Sequence, residues 1–179
     1  MTMTAEIANG WMPTLFIPAK AREVWGRALN QGAAKRDPRL GPLQITAGGL
    51  LAIGEGDSAT AIRESLRPSV ALYLGGMGAK GKNFYNNLAI RYGFEVEARM
   101  NQDLYLAGRK DEAAAVVPAR LLELTSLCGP NSYVTKRIAA FKEARATCQS
   151  DRQRSHCHRM KSDRLVVHTR TAVSLRVLE

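Results

Sequence analysis

Apolar residues along the chain fall into short continuous runs and into stripes with helical spacing. The two clearest runs are WMPTLFI, at residues 11–17, and LQITAGGLLAIGE, at residues 43–55. Continuous runs of this length are typical of strands that are buried on both faces of a parallel sheet. We therefore predict two buried strands, although Pro13 interrupts the first run and Gly48-Gly49 breaks the second.

Most other apolar residues recur at intervals of three and four, which predicts helices. One of these helices begins at Pro18, and another begins near Ser58 and is expected to kink or split at Pro68. The predicted helical stretches are residues 1–8, 18–36, 58–74, 83–92, 94–106, 111–127 and 131–145. Strands that alternate with helices along one chain predict an α/β fold with a parallel sheet.

A glycine-rich segment, GGMGAKGKNFYNNL at residues 75–88, joins two of the predicted helices. Within it, Gly76, Gly78 and Gly81 spell G-x-G-x-x-G, the pattern of a dinucleotide-binding turn. That turn needs a strand before it and an acidic residue at the end of a second strand about 20 residues later. Here the preceding run has helical spacing, and Asp103 lies at that distance without a buried strand around it. We therefore predict a glycine-rich corner between two helices.

This corner is still a candidate site for an anion. Glycines let backbone N–H groups approach a phosphate closely, and two lysines add positive charge. The candidate binding residues are Gly76, Gly78, Lys80, Gly81 and Lys82.

Aromatic residues near the predicted strands and the glycine corner have two interpretations each. Phe84 and Tyr85 either pack the helix that follows the glycines or contact a cofactor, and Trp11 and Trp25 are expected in the core or at its rim. Packing is the interpretation that we favour in both cases.

The charge of the chain is unevenly distributed. There are 26 Lys and Arg against 16 Asp and Glu, a net charge of +10, and residues 146–179 hold seven Lys and Arg against three Asp and Glu, together with all three histidines. A basic chain is suited to anionic partners. Three cysteines give no disulfide framework, and we see neither a signal peptide nor an apolar run of membrane-spanning length, so we expect a cytoplasmic protein that binds no membrane.

Four stretches of the sequence together resemble one family. They are AEIANGWMP, RDPRLGPLQITAGGLLAIGE, LRPSVALYLGGMGAKGKNFYNNLAIRYGF and DLYLAGRKDEAAAVVP. Over residues 1–145 the chain is similar to the luciferase-like flavin- and coenzyme F420-dependent oxidoreductases, above all to the coenzyme F420-dependent branch. The resemblance implies a (β/α)8 TIM barrel. Because such a barrel needs at least about 200 residues, it also implies that only the C-terminal half, with a helical insertion, is present.

The same resemblance implies a function. A hydride would move between C5 of a deazaflavin and a carbon of a small organic substrate, with coenzyme F420 as the cofactor and FMN as the alternative. The glycine-rich corner would hold the anionic part of the cofactor. The resemblance makes WMPTLFI and LQITAGG two late strands of the barrel. Thr14 to Phe16 and Ala47 to Gly49, toward the C-terminal ends of these strands, would lie near the barrel mouth, where such barrels have their active sites. The resemblance identifies no catalytic residue in this chain.

Residues 146–179 depart from the family pattern, because we find no matching final strand there. We interpret them as a disordered basic tail that is either translated from a shifted frame or otherwise foreign to the family. Cys148 and the SHCHR segment, with His156, Cys157 and His158, have spacings that structural zinc sites do not favour, so no metal is predicted.

Two further functional hypotheses stay open at this point. The basic tail could make the chain a non-catalytic module that contacts nucleic acid without sequence specificity. Alternatively, two half-barrel chains could complete each other, as a homo-oligomer or with a complementing chain.

Overall fold

The computed structural model describes residues 1–144 and the backbone of residues 166 and 167. The chain forms two compact units. The first combines residues 1–59 with the described residues from 125 onward, and the second is residues 60–124. Both contain α-helices, and all of the described strands belong to the first unit.

The described helices and strands are short. The α-helices are α1 (Thr2–Ile7), α2 (Ala21–Ala33), α3 (Asp57–Glu64), α4 (Arg67–Ala71), α5 (Phe84–Arg91), α6 (Glu95–Leu106), α7 (Lys110–Ala115), α8 (Ala119–Thr125) and α9 (Asn131–Glu143). The strands are β1 (Gly10–Trp11), β2 (Gln44–Ile45), β3 (Leu51–Ile53), β4 (Leu127–Gly129) and β5 (Val166–Val167). This is an α/β fold that is mostly helical, with small parallel sheets.

The first unit contains two parallel strand pairs. β1 pairs with β2, so that Gly10 lies opposite Gln44, and β3 pairs with β4, so that Ala52 lies opposite Cys128. The parallel arrangement agrees with the continuous apolar runs. The Cys128 side chain is fully buried, and its Sγ contacts the carbonyl oxygen of Leu50 at 3.3 Å.

The predicted strands were too long. The first ends at Trp11 rather than at residue 17, because Pro13 has no N–H for the ladder and Leu15 has a left-handed φ of 55°. The second divides into β2 and β3, and the break contains Gly49, where a Cβ atom would lie 2.2 Å from the carbonyl oxygen of Thr125. The main chain passes too close there for any larger residue.

Two strands were not predicted. β4 begins at Leu127, the residue where a predicted helix was expected to end. A strand of three residues is too short to show a hydrophobic period in the sequence. β5 runs antiparallel to β3, with Val167 opposite Ala52. The other tail residues lie outside the described residues, and they include the cysteines and histidines considered for zinc. The prediction of a disordered tail falls on the same residues.

The core of the first unit is partly aromatic. Trp25 of α2 is 4% exposed and meets Trp11 edge to face, with 5.2 Å between ring centroids. Phe16 contacts the Trp11 ring at 6.1 Å and stacks on Phe141 of α9 at 6.0 Å. The expectation that Trp25 belongs to the core is confirmed, and Trp11 lies half-buried at the edge of the same cluster.

The second unit is built from helices and from the glycine corner. The predicted helix over residues 58–74 is divided, because α3 ends at Glu64 and α4 begins at Arg67, just before Pro68. Proline fits this position, since the first turn of a helix needs no N–H from it. α4 continues into a π-helical turn, Leu72–Gly76, and this turn packs against α5 and α6.

Candidate functional site

The glycine corner connects the π-helical turn to α5, within the second unit. Residues 77–82 form bends and turns, and the N–H of Lys82 donates to the carbonyl oxygen of Ala79 at 2.9 Å. A dinucleotide-binding turn would follow a strand, whereas this loop follows a helix. The prediction of a corner between two helices is therefore confirmed, and all five candidate residues lie in or directly beside this one loop.

Each glycine of the G-x-G-x-x-G pattern has its own local reason. A Cβ atom on Gly76 would lie 2.6 Å from Cε1 of Tyr105, and one on Gly78 would lie 3.0 Å from the Cα atom of Asn83. Gly81 has a φ of +77° and no atom within 4 Å of a Cβ position. Close packing explains the first two glycines, and backbone conformation explains Gly81.

The two candidate lysines have different surroundings. The Nζ atom of Lys80 lies 2.5 Å from Oδ1 of Asp103 on α6, and both side chains are more than half exposed. Lys82 is exposed and makes no ion pair with residues 1–144. The acidic residue that a dinucleotide site would use for a ribose thus neutralises a lysine of the loop instead.

Asn83 is a residue of this region to which the sequence analysis gave no role. It is fully buried and caps α5, because its Oδ1 accepts hydrogen bonds from the N–H groups of Tyr85 and Asn86 at 2.9 and 3.2 Å. An asparagine directly before a helix is a recognised N-cap signal, so this half of its role was readable from the sequence. The first-turn amides that it caps are therefore already occupied.

Amide groups of the loop itself remain available. Within residues 1–144, the N–H groups of Ala79, Lys80 and Gly81 donate no hydrogen bond. An anion at this corner would therefore meet loop N–H groups and lysine side chains rather than the N-terminus of α5.

Large apolar side chains flank the loop. Leu72, Met77 and Phe84 are 40%, 50% and 55% exposed. Tyr85 packs its ring against Tyr73, with 4.7 Å between centroids. Packing is thus the observed role of Tyr85, whereas Phe84 presents a ring to solvent next to the lysines.

A second candidate region lies in the first unit, where the chain leaves β1 and β2. Because these strands are parallel neighbours, the segments at Thr14 to Phe16 and at Ala47 to Gly49 leave the sheet at the same edge. Leu15 has the only positive φ among the described residues that are not glycine. Backbone strain of this kind is concentrated at functional sites, and it motivates the proposal below for this edge.

The described residues contain neither a candidate metal cluster nor a membrane-spanning helix. Among residues 1–144 there is no cluster of three or more His, Cys, Asp and Glu side chains that could hold a metal. In the same part of the chain, no helix combines the length and the apolar character needed to cross a membrane.

Comparison with known proteins identifies the family. The family model described as luciferase-like monooxygenase matches residues 1–148, so the chain belongs to this family. A Mycobacterium tuberculosis protein, named provisionally as a coenzyme F420-dependent oxidoreductase, is 31% identical over 149 residues, which are 82% of this chain and 42% of that protein. The predicted resemblance is confirmed.

A solved structure agrees at the level of the fold. The coenzyme F420-dependent tetrahydromethanopterin reductase of Methanopyrus kandleri superposes with a TM-score of 0.58 and 19% identity. The match covers 81% of this chain and 39% of the reductase. The chain thus spans about two-fifths of the length of both relatives.

Proposed function

We propose that this chain is part of a coenzyme F420-dependent oxidoreductase, and that its glycine-rich loop binds the anionic part of the cofactor. When bound, the deazaflavin exchanges a hydride with a small organic substrate. The observation that carries the proposal is the loop itself, which combines the side chains of Lys80 and Lys82 with three amides, at residues 79–81, that donate no hydrogen bond within residues 1–144. The names of the two relatives support this cofactor.

The role of the chain's own residues follows from their chemistry. N–H groups of residues 79–81 would donate to phosphate or carboxylate oxygens, and the lysines would supply positive charge. Gly76 and Gly78 would contribute by keeping the loop close to Tyr105 and Asn83, as their contacts indicate. Each of these groups binds and orients a ligand, and none of them moves a proton.

We propose further that residues 1–145 supply the C-terminal half of a (β/α)8 barrel, with a helical insertion that includes the second unit. The parallel strand pairs and the likeness of the fold to the reductase support this arrangement. In such a barrel the edge at Thr14 to Phe16 and Ala47 to Gly49 would belong to the mouth of the active site. Residues 146–179 would then be a non-family basic tail, in which Val166 and Val167 pair with β3.

FMN is the alternative cofactor, because N–H groups and lysines suit any phosphate. The experiment is to titrate the full chain with coenzyme F420 and, separately, with FMN, and to follow the fluorescence of each. We expect saturable binding of coenzyme F420 and weaker binding of FMN. Tighter binding of FMN would contradict the choice of cofactor, and binding of neither would contradict the proposed function.

A further inference from the structure

The Asn83 side chain joins the two helices on either side of the glycine loop. While Oδ1 caps α5, Nδ2 donates to the carbonyl oxygens of Tyr73 and Leu74, at 2.9 and 3.0 Å, in the π-helical turn. A carboxamide has two donor hydrogens and two acceptor positions, so every hydrogen-bonding position of Asn83 is used. One fully buried side chain therefore fixes where one helix stops and the next begins.

The π-helical turn needs these donors. Carbonyl groups in the last turn of a helix have no partner within the helix and must find one elsewhere. Asn86 assists, because its Nδ2 donates to the carbonyl oxygens of Leu74 and Ala98, at 2.9 and 2.6 Å. Side chains at the start of α5 thus supply the donors that the end of the preceding helix lacks.

The same geometry restrains the loop. Six residues, 77–82, connect the two helix ends that Asn83 holds together, and they include both candidate lysines. Gln102 of α6 adds a contact of 3.4 Å from Nε2 to the carbonyl oxygen of Gly78. If the ends of the loop separated, the segment that carries the lysines and the amides of residues 79–81 would no longer be held in one conformation.

We propose that Asn83 is a positioning residue for anion binding, which holds the glycine loop in its binding conformation through its two bonds to the π-helical carbonyls. This inference rests on the proposed function of the loop. It assigns Asn83 a role beyond helix capping.

The ranking of helix caps separates these two roles. Asn, Asp and Ser are nearly equivalent as N-caps, so a residue that only capped α5 would tolerate all three. Aspartate keeps both acceptor bonds and has no donor for Tyr73 and Leu74, and serine has one donor on a shorter side chain. The substitutions Asn83→Ser and Asn83→Asp therefore preserve the cap and remove the link to the preceding helix.

The test uses the full 179-residue chain as wild type, Asn83→Ser, Asn83→Asp and Leu121→Ala. Leu121 is fully buried in α8 of the same unit, so its truncation lowers stability without altering the loop bonds. Amide hydrogen exchange is measured for Lys82, whose N–H donates to the carbonyl oxygen of Ala79, and for α7. Dissociation constants are measured for coenzyme F420 and for inorganic pyrophosphate.

For Asn83→Ser we expect exchange of the Lys82 amide to be at least about tenfold faster, with exchange of α7 unchanged, because the two buried hydrogen bonds that hold the ends of the loop together are lost. The affinities for both ligands should fall by about tenfold or more, since the loop must then be ordered on binding. Leu121→Ala should leave both affinities within about twofold of wild type. If Asn83→Asp does not fold, the serine variant decides alone.

Two results would overturn the inference. One is a serine variant whose Lys82 amide exchanges at the wild-type rate, and the other is a serine variant that binds both ligands as tightly as wild type does. Either result leaves the proposed function standing if the wild-type chain binds coenzyme F420. A wild-type chain that binds neither ligand overturns the proposed function and the positioning role together.

Discussion

Gly76 and Gly81 illustrate how residues of one motif serve different purposes. A side chain on Gly76 would collide with the Tyr105 ring, whereas one on Gly81 would meet no atom but would have to adopt a φ of +77°. The match of these glycines to the G-x-G-x-x-G pattern of a dinucleotide-binding turn is therefore coincidental. Packing requires glycine at position 76, and the left-handed backbone conformation favours glycine at position 81.

We predict that Gly76→Ala destabilises the chain more than Gly81→Ala does. Overpacking against Tyr105 should cost about 1–3 kcal/mol. The left-handed conformation at residue 81 should cost about 1 kcal/mol, and Gly81→Asn should cost less than Gly81→Ala, because asparagine tolerates this region. Urea unfolding of the three variants provides the measurement. A Gly81→Ala variant less stable than Gly76→Ala would show that the packing at Tyr105 is not as described.

Asp103 is predicted to weaken anion binding, because its carboxylate pairs with Lys80. Asp103→Asn should raise the affinity for coenzyme F420 at low salt by up to about fivefold, the range expected for an exposed ion pair. The gain should vanish in a Lys80→Ala background and shrink as salt is added.

Asp111→Asn is the matched control for this prediction, because Asp111 is an exposed acid on α7 and its removal changes the net charge equally. Fluorescence titrations of the four variants give the comparison. Equal gains from Asp103→Asn and Asp111→Asn would mean that only the overall charge matters.

At the scale of elements, α1 and α2 cross at a glycine. A Cβ atom on Gly32 would lie 2.2 Å from the carbonyl oxygen of Thr2 and 2.6 Å from Cβ of Ala5, so the two helices touch through their backbones. Gly26, six residues earlier in α2, has only the Arg22 side chain within reach of a Cβ atom, at an ordinary 3.6 Å. The same helix thus contains one glycine that packing requires and one that it does not.

We expect Gly32→Ala to lower the free energy of unfolding by about 1–3 kcal/mol and Gly26→Ala to raise it by about 0.5–1 kcal/mol. The first forces α1 away from α2, and the second gains helix propensity without a clash. Thermal or urea unfolding of the pair gives the sign directly. Two alanine variants of equal stability would contradict the described crossing.

Helices were more predictable from the sequence than strands were. A helix such as α9 repeats its apolar positions, Val134 and Phe141 among them, and this period survives in a single sequence. Strands of two or three residues have no period to detect, and β4 is defined only by its pairing with β3, more than 70 residues earlier. Pairing between distant segments is a tertiary property, which local pattern does not encode.

The candidate site was predictable to a similar extent. The glycines and lysines of the loop are close neighbours in the sequence, so the sequence alone shows that they lie close together in the structure. The second role of Asn83 was not predictable, because its partners are carbonyl groups, which every residue has. Their need for a donor arises only from where the π-helical turn ends.

At the scale of the whole molecule, the described strands leave sheet edges open. Among the described residues β1 pairs with β2 alone, and a two-stranded sheet is only marginally stable by itself. Exposed edges favour association with another chain. This reasoning supports the proposal of a homo-oligomer or of a complementing chain.

We therefore predict that the full chain sediments with a mass above that of one chain at micromolar concentration. Analytical ultracentrifugation over a range of concentrations measures this. A single monomeric species at every concentration would contradict the proposal that the open edges are covered by another chain.

The most direct test of the central claim compares two double variants of the full chain in their binding of coenzyme F420. Lys80→Ala with Lys82→Ala removes the charge of the loop, and Lys136→Ala with Lys142→Ala removes the same charge from exposed positions on α9. We predict about tenfold weaker binding for the loop variant, the sum of two exposed charge contacts, and a change of less than about twofold for the control. Equal affinities in the two double variants would contradict cofactor binding at the glycine-rich loop.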